Sequence, residues 1–209
     1  IFFYGSIEDN WLGHMMAEVY KDGIYRPFLP LIKEGTVALD IGANIGLVSI
    51  YLSRYFERVI ALEPSEGHFD ALTRNLQNHN ITNVKPIKKA IYIKEGKFPF
   101  GGPKDNKTMR SLHMATWQDG KSDEVVEAVT LDKLFADEKI DHVNLMKLDI
   151  EGSRWRLYPR LVFKRWPIKL IVLSVSAISG RADTHINSMT PLRVMVLSWR
   201  QLKMMPIYS

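Results

Sequence analysis

Short apolar runs without alternating polar residues constrain this sequence more than any other feature. Four such runs recur along the chain: TVALDI, RVIALE, VNLMKL and IKLIVLSVS. Alternation would indicate a strand with one face in water, whereas a nearly unbroken apolar run indicates a strand buried on both faces. Such strands are typical of parallel sheets that are covered by helices. The runs therefore predict a central, mostly parallel sheet.

The segments between the runs alternate helices with the strands. After the first run, Leu47, Ile50, Tyr51 and Phe56 recur at helical intervals, and PSEGHFDALTRNLQNHN predicts a longer helix after the second. EVVEAVTLDKLF predicts a strand leading into a short helix, and SRWRLYPRLVFKRW predicts a helix kinked at Pro159. With right-handed crossovers, this order predicts a Rossmann-like, doubly wound α/β fold, mostly parallel, with helices on both faces.

The remaining stretches complete the predicted organisation. VKPIKKAIYI predicts a third strand, KEGKFPFGGPKDNKT predicts a turn-rich loop, and LRVMVLS predicts a last strand. We expect the domain to span residues 35–176. Residues 1–34 would pack on it or cap it, and residues 177–209 would form an atypical basic tail.

Composition limits the compartment and the chemistry. No apolar run is long enough to cross a bilayer, and the start at Ile1 lacks a signal-peptide pattern, so we expect a cytoplasmic protein with no membrane partner. The absence of cysteine excludes disulfides, thiolate metal ligands and cysteine nucleophiles. The six histidines lack metal-ligand spacing, so no metal site is predicted, and His68 and His79 are expected in solvent.

The first strand ends in a glycine-containing loop, Asp40-Ile-Gly42-Ala-Asn-Ile-Gly46. Ligands of doubly wound sheets bind at the carboxyl ends of strands, near the point where strand order reverses. Gly42 would allow a bend and close approach of a ligand, and Gly46 would let the next helix pack close to the strand. The middle glycine of the dinucleotide motif is missing, which argues against NAD or FAD. The residues alone leave open a ligand loop or a purely structural turn.

Carboxylates follow two more strands. Glu63 comes about 20 residues after the loop, where nucleoside-binding domains place an acceptor for ribose hydroxyls, although it would also suit a helix start. Asp149 and Glu151 lie two apart and so share one face of a strand. Such a pair can accept a proton, bind a hydroxyl or hold a cation, or it can be a solvated helix entry.

Five segments in order resemble the FkbM family of class I S-adenosylmethionine-dependent methyltransferases. They are LDIGANIG (39–46), ALEPSEGHFDALTRNLQNHNITNV (61–84), KKAIY (88–92), VTLDKL (129–134) and MKLDIEGS (146–153). Each segment alone is a weak indication of the family, whereas the five segments in this order are specific for it. The resemblance covers roughly residues 35–155.

The resemblance implies that S-adenosylmethionine binds at nine residues: Asp40, Gly42, Ala43, Asn44, Gly46, Glu63, Pro64, Ser65 and Ala90. By the same analogy, Asp40 orders the loop, Glu63 accepts the ribose hydroxyls and Ala90 lies near the adenine. Gly42, Ala43, Asn44 and Gly46 would line the methionine part, and Pro64 and Ser65 would shape the adenosine side.

The resemblance also implies the catalytic residues and the reaction. Asp149 would sit beside the transferable methyl group, with Glu151 nearby. The family usually methylates hydroxyl oxygens of small molecules, including sugars and secondary metabolites. Asp149 is the candidate acceptor of the hydroxyl proton, or it only orients substrate or cofactor.

The carboxyl-terminal part departs from the family pattern. Arg154, Arg156 and Ser174 stand at or near positions where acids are usual, and residues 150–209 carry 10 basic against 2 acidic residues. This favours either an anionic small acceptor or a degenerate, non-enzymatic module that keeps the cofactor. A nucleic-acid methyltransferase is an alternative supported only by the pI of about 9.3 and the basic tail, without a recognition module. Trp199 and Met204 suggest a dimer surface or a disordered end.

Overall fold

A six-stranded sheet forms the centre of the protein. The computed structural model describes residues 3–4, 12–13, 16–21, 23, 25–26, 36–101, 112 and 124–149, and the backbone of two later strands. The strands are β1 Val37–Ile41, β2 Arg58–Leu62, β3 Val84–Ile87, β4 Ala90–Ile91, β5 Gly96–Phe100, β6 Glu124–Val129, β7 Val143–Leu148, β8 Ile168–Val175 and β9 Arg193–Ser198. The helices are α1 Leu47–Leu52, α2 Glu66–Asn78 and α3 Leu131–Asp137, preceded by a π-helical turn, Ala17–Lys21.

The order of strands in the central sheet confirms the doubly wound fold. It runs β3-β2-β1-β7-β8-β9, and every neighbouring pair is parallel except β8 with β9. The chain steps outward from β1 to β3 and returns to β7 on the other side of β1. The reversal point therefore lies between β1 and β7.

Helices cover both faces of the sheet, as the unbroken apolar runs predicted. On one face, Leu39 and Ile60 pack with Leu134 and Phe135 of α3. The opposite face packs against α1 and α2, through a second buried cluster that includes Ala38 and fifteen further residues of the strands, helices and amino-terminal segment. Because successive side chains of a strand alternate in direction, each central strand contributes to both clusters.

The predicted third strand is wrong in part, because it is two strands in different sheets. β3 ends before Lys88, and the chain turns through a bond from Lys89 N to Ile87 O. β4 then joins a separate three-stranded sheet with the order β4-β6-β5. The segment predicted as a loop after it contains β5, which is antiparallel to β6. Pro99 led to the prediction of a loop instead of a strand. The proline is tolerated because β5 lies at a sheet edge.

The first helix is shorter than its apolar spacing suggested. α1 ends at Leu52, and Phe56 packs into the core from beyond the helix. The strands predicted at 168–175 and 193–198 are confirmed, whereas the predicted helix SRWRLYPRLVFKRW lies outside the described residues. The helices of the described part are too short or too polar to span a bilayer.

Described residues of the amino-terminal segment contact the domain. Asn75 of α2, which is fully buried, accepts a hydrogen bond from Tyr4 N at 2.5 Å. It also donates to Tyr4 O at 2.9 Å and to Ile45 O at 2.8 Å. Val19 and Tyr25 are buried in the α1–α2 side of the core. The domain limits at residues 35 and 176 stay a prediction.

Candidate functional site

The loops that follow β1 and β7 meet at the reversal point of the sheet. Asp149 N donates to Ile41 O at 3.0 Å, which extends the β1–β7 pairing by one residue. Gly42 has φ of +79°, and a Cβ there would lie 2.0 Å from the Asp149 carbonyl oxygen. The space left by the missing side chain is therefore filled by the backbone of Asp149, rather than by open room for a ligand.

Every backbone amide from residue 42 to residue 46 has an internal acceptor. The bonds measure 2.8–2.9 Å and tie the loop to itself and to the end of β2. They run from Gly42 and Ala43 to Leu62 O, from Asn44 to Glu63 Oε2, from Ile45 to Asn44 Oδ1 and from Gly46 to Ala43 O. Phosphate-binding glycine loops present open amides to the anion. This loop has none to offer, which agrees with the exclusion of a dinucleotide.

Glu63 joins the first two loops. Its side chain is 6% exposed, and its oxygens accept from Asn44 N at 2.8 Å and Ser65 N at 3.0 Å. An ionised carboxylate has about four acceptor positions, so these two bonds leave capacity for a diol. Glu63 precedes α2, but its carboxylate turns back to the β1 loop. His68 lies beside it, with Nδ1 3.8 Å from Oε1.

A buried carboxylate and a buried lysine lie beneath the loop. Asp40 is fully buried, and its Oδ2 accepts a 2.6 Å hydrogen bond from Ser49 Oγ of α1. Asp40 and Lys147 are partners in the β1–β7 register, so their side chains project from the same face. Lys147 Nζ lies 3.0 Å from Asp40 Oδ1, so the two opposite charges are in direct contact. The pair therefore places one negative and one positive charge directly beneath the reversal point.

Lys147 also reaches both loops above it. Its Nζ donates to Gly42 O at 2.6 Å and lies 3.7 Å from Asp149 Oδ2. Burial by itself would lower the pKa of Lys147. The charges of Asp40 and Asp149, with Glu63 further away, outweigh that effect, so the pKa of Lys147 lies above its ordinary value. The lysine therefore stays charged in neutral solution.

The sequence model of the FkbM methyltransferase domain matches residues 40–187, which contain both loops and all the site residues just described. The chain belongs to the FkbM methyltransferase family. Methyltransferase sdnD of Sordaria araneosa is 25% identical to this family member over 190 residues, covering 71% of this chain and 73% of the relative. The 31-O-demethyl-FK506 methyltransferase FkbM of Streptomyces tacrolimicus is 23% identical over 195 residues, covering 79% and 75%.

Among solved structures, an rRNA methylase from Streptococcus thermophilus aligns with this FkbM-family chain at a TM-score of 0.49 and 10% identity. The alignment covers 85% of this chain and 95% of the other.

The predicted site residues of this FkbM-family protein are not all brought together. Gly46 has φ of +90°, which favours glycine, and a Cβ there would lie 2.5 Å from Leu72 Cδ1 of α2, so its close neighbour is the next helix rather than the strand. Ala90 is buried in β4 with Phe100 and other apolar residues of the second sheet, and its role near an adenine stays a prediction. Glu151 lies outside the described residues.

An open cleft of about 620 Å³ lies beside the end of β2. Pro64 is on its wall, with Glu66, Lys88 and residues of β5 and β6. None of the other predicted cofactor residues lines it. The cleft therefore flanks the side of the site assigned to the adenosine part and does not include the reversal point.

Three side chains at the site received no role there in the sequence analysis. Lys147 stood within a quoted motif but received no role, and the signal was a lysine inside an otherwise buried strand. Ser49 carried no signal, because a serine on an apolar helix face is common. His68 was expected in solvent, which is wrong: its side chain is 19% exposed and faces Glu63.

Proposed function

We propose that this protein transfers a methyl group from S-adenosylmethionine to a hydroxyl oxygen of a small molecule. The observation that carries the proposal is the group of acidic side chains, Asp40, Glu63 and Asp149, around a loop whose amides are all occupied. Membership of the FkbM methyltransferase family supports the reaction class.

The charges of the site suit this cofactor. Among the described residues, three carboxylates surround one lysine, Lys147, so this part of the site carries excess negative charge. S-adenosylmethionine carries a sulfonium, an ammonium and a carboxylate group, so its net charge is positive. It has no phosphate, and so it does not require open backbone amides at residues 42–46. Glu63 would hold the ribose hydroxyls with its remaining acceptor positions, and Gly42 to Gly46 would contact the methionine part.

The chemistry requires positioning and one proton acceptor. When bound, S-adenosylmethionine would supply a methyl group whose bond to the sulfonium sulfur breaks, leaving the neutral thioether S-adenosylhomocysteine. Asp149 would accept the proton that the acceptor hydroxyl loses as its oxygen gains the methyl group. Its side chain is 29% exposed, so a substrate can reach it from solution. A well-placed base of this kind contributes roughly 10²–10⁴-fold to the rate.

The choice of an oxygen acceptor draws support from a relative. The Streptomyces tacrolimicus protein is named for a 31-O-demethyl substrate, which is methylated on oxygen. A hydroxylated small molecule, such as a sugar or a secondary metabolite, is the corresponding acceptor class here. The basic balance of residues 150–209 would suit an acceptor that also carries negative charge.

Calorimetric titration with S-adenosylhomocysteine tests the cofactor site. We expect micromolar binding to the wild type and a loss of about tenfold or more in Glu63→Gln, equivalent to roughly 1.4 kcal/mol. Glutamine is preferred to alanine because it keeps one acceptor for Asn44 N or Ser65 N. Glu57→Gln is the matched control, since Glu57 is an exposed carboxylate at the opposite end of β2 from Glu63. Absence of binding to a folded wild type, or equal losses in both variants, would contradict the proposal.

A further inference from the structure

We propose that Lys147 is a positioning residue of the methyl-transfer site, whose buried ammonium is the counter-charge of the Asp149 carboxylate and ties it to the glycine loop. The inference rests on the proposed function, in which Asp149 accepts the substrate proton. It assigns a role to a side chain that the substrate and cofactor need not touch.

The contacts of the ammonium fit this role. An ammonium group has three donors and no acceptor, and Lys147 Nζ has three oxygen neighbours on three different segments. They are Asp40 Oδ1 at 3.0 Å, Gly42 O at 2.6 Å and Asp149 Oδ2 at 3.7 Å. The side chain is 5% exposed, so water does not replace these partners. One cation therefore joins β1, the glycine loop and the end of β7.

Lys147 does more than neutralise Asp40. Asp40 already has the Ser49 hydroxyl as a hydrogen-bond donor. Within the described part of the chain, no hydrogen bond reaches the Asp149 carboxylate, so the ammonium is its nearest stabilising group. Among the described residues, the other charged groups that act on Lys147, Asp40 and Glu63, are both acidic. Without the lysine, these residues would leave the Asp149 carboxylate facing two other carboxylates and no cation.

Protonation of Asp149 would remove its function. A protonated carboxyl cannot accept the proton of an attacking hydroxyl, and its oxygens bind a hydroxyl less strongly. A fixed cation on the buried side leaves the exposed side of Asp149 free for substrate. The same cation holds Gly42 O, so the loop and the carboxylate keep one relative position.

Carbon-13 NMR titration of the Asp149 carboxyl, assigned with Asp149→Asn, tests the inference without cofactor or substrate. We expect the Asp149 carboxyl resonance to titrate at higher pH in Lys147→Met than in the wild type, because the nearest cation is lost. The control Lys133→Met, an exposed lysine on α3, should leave that titration unchanged. An unchanged titration in Lys147→Met would overturn the inference.

The double variant Asp40→Asn with Lys147→Met guards against a fold that fails because Asp40 is left unpaired. It restores neutrality beneath the loop, so folding stability should recover. Its reference is Asp40→Asn alone, so that the charge of Lys147 is the only difference, and the Asp149 carboxyl should titrate at higher pH in the double variant. Equal titration of Asp149 in these two variants would mean that the lysine acts only through Asp40, and would overturn the inference.

The outcome is separable from that of the proposed function. An unchanged titration of Asp149 in a protein that binds S-adenosylhomocysteine would overturn this inference alone. Titration at higher pH in a protein that binds none would leave the electrostatic link intact and overturn its role in methyl transfer.

Discussion

At position 42, close contact between two backbone segments requires glycine. The neighbour of Gly42 is a carbonyl group, not the end of a flexible side chain, and cannot move away cheaply. We expect Gly42→Ala to lower the free energy of unfolding by about 2 kcal/mol or more, since overpacking costs roughly 1–3 kcal/mol and left-handed backbone adds about 1. Urea denaturation followed by circular dichroism would measure the change.

Gly67 provides the matched control. It lies in α2, and a Cβ there would have no neighbour within 4 Å. We expect Gly67→Ala to be neutral or stabilising by up to about 1 kcal/mol, because alanine is the better helix former. Equal stability of the two variants would show that the loops can separate at position 42.

For single residues, the sequence identified the acidic side chains of the site but not the groups that they contact. Asp40, Glu63 and Asp149 could be selected because each acid follows an apolar run. Lys147 could not be assigned, because its meaning depends on the register that sets it opposite Asp40. Register is a property of two strands more than a hundred residues apart, and no local pattern contains it.

At the scale of elements, Asn75 joins three parts of the fold. Its side chain binds the backbone of Tyr4 and the carbonyl of Ile45, so α2 holds both the amino-terminal segment and the entry to α1. We expect Asn75→Ala to cost about 1–3 kcal/mol, the penalty of removing partners from buried polar groups. Amide exchange at Tyr4 should accelerate at the same time, which hydrogen–deuterium exchange would detect.

Asn78→Ala is the control for this variant. Asn78 lies one turn further along α2 and is exposed, so its replacement should change neither stability nor Tyr4 exchange appreciably. Unaltered Tyr4 exchange in Asn75→Ala would mean that other contacts hold the amino-terminal segment.

The apolar runs predicted the strands of the central sheet correctly. The prediction failed at the strands of the second sheet. The sequence predicted one strand that contains Lys88 and Lys89, but these lysines mark a change of sheet. Gly96 and Pro99 are typical of loops, and only an edge position makes a strand of them. Whether a position is at an edge is decided by tertiary structure.

For the whole molecule, the strand order makes β7 indispensable. β1 lies between β2 and β7, and its buried residues contribute to the clusters on both faces. We expect a chain ending at residue 142 to lose cooperative urea unfolding and to bind a hydrophobic dye, because one side of β1 would have no partner. A chain ending at residue 198, which keeps all nine described strands, should unfold cooperatively. Cooperative unfolding of the shorter chain would contradict this view of the sheet.

The pairing of β1 with β7 also has a consequence for synthesis on the ribosome. β1, β2 and β3 can pair soon after they emerge, but Ile41 meets Leu148 only after about a hundred further residues have been made. At translation rates of roughly 5–20 residues per second, the open edge of β1 persists for about 5–20 s. During that interval the nascent chain presents an apolar strand edge, which is the kind of surface that chaperones recognise.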